Sequence, residues 1–135
     1  MAPSASDVLV LDNRHTGEHL ELRRRRDGGV NTLELRGTLP PHRQGPPLHV
    51  HHEEDEDGVV IAGTLSAEVG GQVVSVPAGG TVRLPKGVPH RWWNAGDELL
   101  RFEGRVTPGV DLDRYLQAVF EVMNASPPDR PSLFY

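Results

Sequence analysis

The sequence predicts an all-β domain, a sandwich or barrel of short antiparallel strands, closed by a single helix near its end. Two observations carry this. Glycine (15) and proline (12) are both frequent among the 135 residues and fall between short apolar runs. Only one segment, after Val106, spaces its apolar residues at three to four positions as a helix face requires. The length fits one domain and leaves no room for a second core.

Taken in order, the strand-like runs begin with Val8–Leu11, His19–Arg25 and Asn31–Leu39. In the third, Leu33, Leu35 and Leu39 alternate with Thr32, Glu34 and Arg36, the period-two pattern of a half-buried strand. Asp27-Gly28-Gly29 supplies the hairpin turn between the second and third runs. Arg23 to Arg26 stand beside that turn and read as a solvated hairpin end. Pro40 to Pro47 is a Pro/Gly-rich loop that delivers the chain to Leu48-His49-Val50-His51. Further runs follow at Asp57–Ala62, Leu65–Val69, Val73–Val76, Thr81–Leu84, His90–Asn94 and Leu99–Val106, each bounded by glycine or proline turns. The helix is expected to place Leu112, Tyr115, Leu116, Val119, Phe120 and Met123 on one face, with Asp111 at its start and Pro127-Pro128 stopping it. That apolar stripe is expected to cover the outside of the barrel or a partner subunit.

Composition narrows the function classes. Net charge is −5 and the pI is near 5.8, a surface that repels phosphate backbones, so no nucleic-acid partner is expected. The absence of cysteine removes disulfides, thiolate nucleophiles and thiolate metal sites. No apolar run approaches membrane-spanning length and no leader-like segment opens the chain, so no membrane partner is expected and the cytoplasm is the expected compartment.

The chemistry concentrates in four residues. His49 and His51 are two apart in a strand-like run, which sends both imidazoles to one face. Glu56 follows closely, and His90 opens a later strand. Three imidazoles and a carboxylate are the donors that borderline divalent metals prefer: iron, manganese, nickel, copper or zinc. Any one of these histidines alone would more often be an ordinary surface residue; the joint pattern is what points to a metal.

The stretch His49-x-His51-x4-Glu56-x6-Gly63 resembles the first motif of the cupin superfamily, and Gly79-x5-Pro85-x-Gly87-x2-His90-x3-Asn94 resembles the second. The short interval from Thr64 to Ala78 is similar to that of small single-domain microbial cupins. The resemblance is strong over roughly Thr38 to Val106 and looser outside it. It implies an antiparallel jelly-roll barrel with a short C-terminal helix over residues 1–135, its barrel core about 30–106 and its helix about 111–125. It implies that His49, His51, Glu56 and His90 hold one divalent transition metal (Fe, Mn, Ni, Cu or Zn), with Glu56 also able to accept a proton in catalysis. Two departures stand out. Arg43 replaces the glycine that usually stands six residues before the first histidine, and Gly45 lies too near to serve for it. Gly58 follows Glu56 where many relatives carry a bulky aromatic; its missing side chain either enlarges the space near the metal or marks a bulge.

The expected pocket lining is Leu48 near the mouth with Gly58, Val60, Trp92, Leu100 and Phe102, mostly apolar and suited to a small molecule; Gly58 and Val60 share the parity of Glu56, and Trp92 that of His90. Trp93, facing the other way, is expected under the helix or in a subunit interface. His52 is expected on the surface, Glu53, Glu54 and Asp55 on a solvated acidic face, and His42 in a solvated loop. His15 and His19 have no partner pattern. Trp93, the helix stripe, Phe134 and Tyr135 together offer enough apolar surface to predict a homodimer.

Four protein ligands leave two positions on an octahedral ion, which the cupin resemblance implies are adjacent, and one carboxylate leaves a divalent site with a charge of +1 that attracts anionic oxygen ligands. The first functional reading is an iron-type dioxygenase or other oxidoreductase acting on a small enolic, phenolic or carboxylate substrate. The second is a redox-neutral isomerase, epimerase, cyclase or lyase in which the metal acts as a Lewis acid. The third is a non-enzymatic metal or small-ligand binder. Fold and ligand set do not separate them.

Overall fold

The computed structural model describes residues 8–109 and 111–125. Among the described residues the strands are β1 (Leu9–Asp12), β2 (His19–Asp27), β3 (Val30–Leu39), β4 (Arg43–Gln44), β5 (Asp55–Ala62), β6 (Thr64–Val69), β7 (Gln72–Pro77), β8 (Thr81–Leu84), β9 (His90–Asn94) and β10 (Leu100–Thr107). One helix follows, α1 (Leu112–Ala125). The strands form a six-stranded sheet ordered β1-β2-β3-β10-β5-β8 and a four-stranded sheet ordered β4-β9-β6-β7, antiparallel at every pairing. This is the all-β barrel that the turn density predicts.

The two sheets face each other across one core. Leu39, Val60 and Leu100 from the larger sheet pack with Leu65, Ala67, Val76 and Trp92 from the smaller. Register fixes which residues point inward. Leu39 pairs with Leu100, Gly37 with Phe102 and Leu33 with Val106 across β3 and β10. On the other side of β10, Gly58 faces Gly104 and Glu56 faces Val106. A Cβ at Gly37 would collide with the Phe102 ring, so that glycine exists to seat the phenylalanine. The irregular register between Arg101 and Phe102 places the bulge beyond Val60, so Gly58 itself sits in regular pairing.

The helix lies elsewhere than its stripe alone suggested. Leu112, Val119, Phe120 and Met123 pack against Leu11, Leu20, Leu22, Leu33, Leu35 and Val106. Leu33, Leu35 and Val106 share the inward face with Leu39 and Leu100, and Phe102 packs against both clusters. The helix therefore covers the inner face of the large sheet where the smaller one does not reach, rather than the outside of the barrel. The reason is arithmetic of area: four strands cannot cover six, and the leucines of β2 and β3 would face water. Burying each such side chain contributes roughly 1.5–3 kcal/mol.

Arg24 fixes the helix start. Its guanidinium donates to the Asp113 carboxylate at 2.7 Å, the Gly109 carbonyl at 3.2 Å and Asn31 Oδ1 at 2.9 Å. One of the four arginines beside the hairpin thus has a structural duty. Leu112, Val119, Phe120 and Met123 turn inward and Arg91 stacks over the Trp93 ring at 4.6 Å, so part of the apolar surface behind the expected dimer is covered within one chain, while Tyr115 stays exposed. Phe134 and Tyr135 lie outside the described residues.

Candidate metal centre

His90 opens β9, while His49 and His51 sit on an irregular segment rather than a regular strand. Pro46 and Pro47 lack the N–H groups a ladder needs, so pairing resumes only at His49. There a single bridge joins the two halves of the site, His49 N–H to the His90 carbonyl at 2.9 Å and His90 N–H to the His49 carbonyl at 2.8 Å. Gly87, at φ +76°, lets the loop before His90 turn back and donate its N–H to the His51 carbonyl at 2.7 Å. Gly45 lies against Trp92, where a Cβ would come within 2.7 Å of the Trp92 carbonyl oxygen and 2.9 Å of the indole ring. The glycine displaced from position 43 therefore has a close-contact counterpart two residues on.

The three imidazoles converge. One ring nitrogen from each of His49, His51 and His90 lies within 4.8 Å of the others. Each Nδ1 is anchored by an acceptor: Pro47 carbonyl at 2.7 Å for His49, the Glu54 carboxylate at 3.1 Å for His51, Val88 carbonyl at 3.2 Å for His90. Donating Nδ1–H to these acceptors leaves the Nε2 lone pairs free. His49 and His51 turn Nε2 toward each other at 3.2 Å, and the buried Nε2 of His90 has no hydrogen-bond partner among the described residues. A buried acceptor without a partner is costly unless something binds there. The 3.2 Å between the His49 and His51 donors suits an ion held at about 2 Å, with the His90 donor within 4.8 Å of both. The residues present fit a divalent metal.

Burial, then the neighbouring imidazoles, pushes His51 down to about 4. Burial, then His49, pushes His90 to about 4 as well, and burial lowers His49. All three are neutral donors at pH 7. Because His51 is neutral, its contact with Glu54 is a hydrogen bond to a carboxylate rather than an ion pair. Burial, then Glu53, raises Glu54 above the ordinary carboxylate range.

Glu56 points into the same cavity from β5 but is not among the donors that cluster within 4.8 Å. Burial, then Asp57 and Glu54, raises it to about 7, so it sits near half-protonation at neutral pH. The cavity, ≈ 90 Å³, is bounded by Gly58, Val60, Trp92 and Phe102, with Trp92 and Phe102 edge to face at 4.9 Å between centroids. Leu48 and Leu100 do not bound it. Leu48 points away from the site at 54% exposure, and Leu100 lies wholly within the core, where Leu39 faces it across the sheet.

Several residues emerge that sequence reasoning placed elsewhere or passed over. Glu54 leaves the acidic face to hold His51, a role that its spacing of three residues from the histidine hints at. Leu112, Tyr115 and Leu116 of α1 border the cavity, as does the buried Glu18. Asn94, which closes the second motif, is structural: its amide donates to the carbonyls of Leu39, Pro40 and Glu98 and accepts from Gly96 N–H. His52 is exposed, and His42 is exposed with Asp97 at 2.6 Å. His15 bonds the Met123 carbonyl, and His19 lies between Asp12 and Glu21, which raise its pKa.

A barrel of two antiparallel sheets with converging histidines at one end defines a cupin. The chain belongs to that family: its residues 35–107, more than half its length, match the model of the cupin domain. Over 79 residues it is 35% identical to a protein named oxidoreductase iacF from Pestalotiopsis fici, a segment that is 56% of this chain and 39% of that protein. The fold is similar to a cupin-superfamily sugar phosphate isomerase from Silicibacter pomeroyi (TM-score 0.61, 18% identity, 79% of this chain and 75% of that one). It is similar too to a predicted oxalate decarboxylase from Thermotoga maritima (TM-score 0.59, 22% identity, 80% and 99%). Among the described residues no helix is long and apolar enough to cross a membrane.

Proposed function

We propose that this cupin is a metal-dependent oxidoreductase of the iron(II) dioxygenase type, acting on a small enolic, phenolic or carboxylate substrate. The observation that carries the reading is the convergence of three neutral imidazole Nε2 donors, each fixed from behind through Nδ1. Imidazole nitrogen with a carboxylate close by is a donor set for iron, manganese, nickel, copper or zinc. When bound, the ion supplies Lewis acidity to a substrate oxygen and, if redox-active, electron transfer. The protein's own part is to bind, exclude water and move a proton. Val60, Trp92 and Phe102 hold an apolar wall beside the histidines, and Glu56 carries the proton that an enol or phenol releases as it binds. The partial match to a protein named as an oxidoreductase supports this direction.

A second reading, a redox-neutral isomerase or lyase, is favoured by Glu56 itself. A carboxylate poised near pH 7 in an apolar cavity can accept a proton at one carbon and return it at another. The separating experiment is metal analysis of untagged protein grown without added metal, followed by an oxygen-uptake screen over enols, catechols and hydroxy acids. Oxygen consumed in step with product supports the oxidoreductase; turnover that continues under anaerobic conditions overturns it in favour of the second reading.

A further inference from the structure

The cavity runs past the histidines to a place where two paired residues of the large sheet offer no side chains. Gly58 of β5 and Gly104 of β10 are paired across the strands, point inward and both border the cavity. Two adjacent inward glycines in the middle of a sheet forgo packing and weaken the strands relative to alanine. Gly37 recovers that cost by seating Phe102. No side chain does the same here. Among the described residues, a Cβ on Gly58 would meet only the Glu103 carbonyl oxygen and Val82 Cγ1, both at 3.4 Å, which is ordinary contact. On Gly104 it would come within 3.3 Å of the Asp57 carbonyl oxygen and 4.0 Å of Leu35 Cδ1. Neither Trp92 nor Phe102 fills the space above Gly58. Leu112 and Leu116, from the inward side of α1, border the same cavity.

We infer that this glycine floor and helix wall form a subsite for the compact apolar body of the substrate, a single aromatic ring or branched alkyl group, while its oxygen head meets the histidines. The inference rests on the metal reading above and narrows its substrate class. Flat backbone accepts a ring face to face, and leucines close over it. Glu18 and Glu56 also border the space, and their carboxyls favour a body without negative charge beyond the head.

The test uses nickel-loaded full-length protein and two chelators with the same head, acetohydroxamate and benzohydroxamate, titrated calorimetrically. The phenyl compound is expected to bind wild type about tenfold tighter or better, as burial of a ring predicts. Gly58→Val fills the floor and is expected to abolish that preference while acetohydroxamate affinity and metal stoichiometry stay unchanged. Leu116→Phe, which intrudes from the helix, is expected to do the same and guards against a local disturbance of β5. Equal binding of the two probes by wild type overturns the subsite, as does a phenyl preference that survives in both variants. If the protein takes up no metal at all, the metal reading falls and the subsite with it, an outcome distinct from metal uptake without phenyl preference.

Discussion

The Nε2 atoms of His49 and His51 face each other at 3.2 Å, while each Nδ1 is turned outward to its own acceptor. With Nδ1 protonated, two lone pairs oppose across a short gap, and only a shared cation or proton relieves them. The double variant His49→Ala/His51→Ala is therefore expected to lose the single bound ion while keeping the barrel, since the core is built from Leu39, Val60, Leu100 and their neighbours. Metal analysis after dialysis, beside a circular dichroism melt, checks both halves. A variant that still binds one ion per chain at wild-type affinity shows the ligands lie elsewhere.

Glu54 holds the back of His51 at 3.1 Å with little exposure on either side chain. A carboxylate in that place orients the ring and strengthens it as a donor. Glu54→Ala is expected to weaken metal affinity about 10- to 100-fold. Glu54→Gln, which keeps an acceptor oxygen but not the charge, is expected to lose less. Equal losses in the two variants would show that charge, not orientation, matters; no loss in either would make Glu54 a bystander.

The pH behaviour follows from opposing shifts. His51 and His90 titrate near 4 in the folded chain, against 6.5 ordinarily. Between those values the unfolded chain binds more protons, so acidification through that window destabilises the metal-free protein, on the order of a few kcal/mol. Above 6.5 they contribute nothing. Glu56, raised from 4.5 to about 7, works in reverse: the folded state holds the extra proton across that window, and acidification there stabilises it. Urea midpoints of metal-free protein are expected to fall from pH 7 to 4.5, and to fall more steeply in Glu56→Gln. Metal binding near pH 6 is expected to release about one proton per ion if Glu56 ionises to coordinate. Calorimetry in two buffers of different ionisation heat counts it, and a count of zero removes Glu56 from the ligand set.

How far the sequence was legible depends on the range of the forces involved. Short strands between glycine turns are local features, and the runs at Thr81–Leu84 and His90–Asn94 coincide with β8 and β9. The three histidines were legible because their spacing matches the two motifs of the cupin resemblance, although it is the long-range bridge between His49 and His90 that brings them together. The position of Glu56 apart from their cluster, and of Glu54 against His51, depends on how an irregular segment turns after two prolines. No residue-level periodicity reports that. The helix shows a subtler gap. Its stripe says that one face is covered, but which surface covers it depends on six strands opposing four, a property of the whole topology. Leu48 and Leu100 went astray for related reasons, one on the irregular segment and one at a strand end packed solid.

The anchoring of α1 yields the last prediction. Among the described residues Arg24 donates to Asp113, Gly109 and Asn31, tying the second strand to the first turn of the helix. The Arg24–Asp113 contact is only partly exposed, so water does not fully replace it. Arg24→Ala is expected to cost about 1–3 kcal/mol of stability, as loss of charge-assisted hydrogen bonds does, with the urea midpoint as readout. Arg24→Lys is expected to recover little, because one ammonium cannot reproduce a planar fork that reaches several acceptors at once. The histidines lie on other elements, so metal stoichiometry is expected to survive in both variants. Hydrogen exchange is expected to rise in α1 before it rises in β5 or β9. A variant whose helix exchanges at the wild-type rate would show that Phe120 and its neighbours hold the helix without help, and that Arg24 is no more than a surface pair.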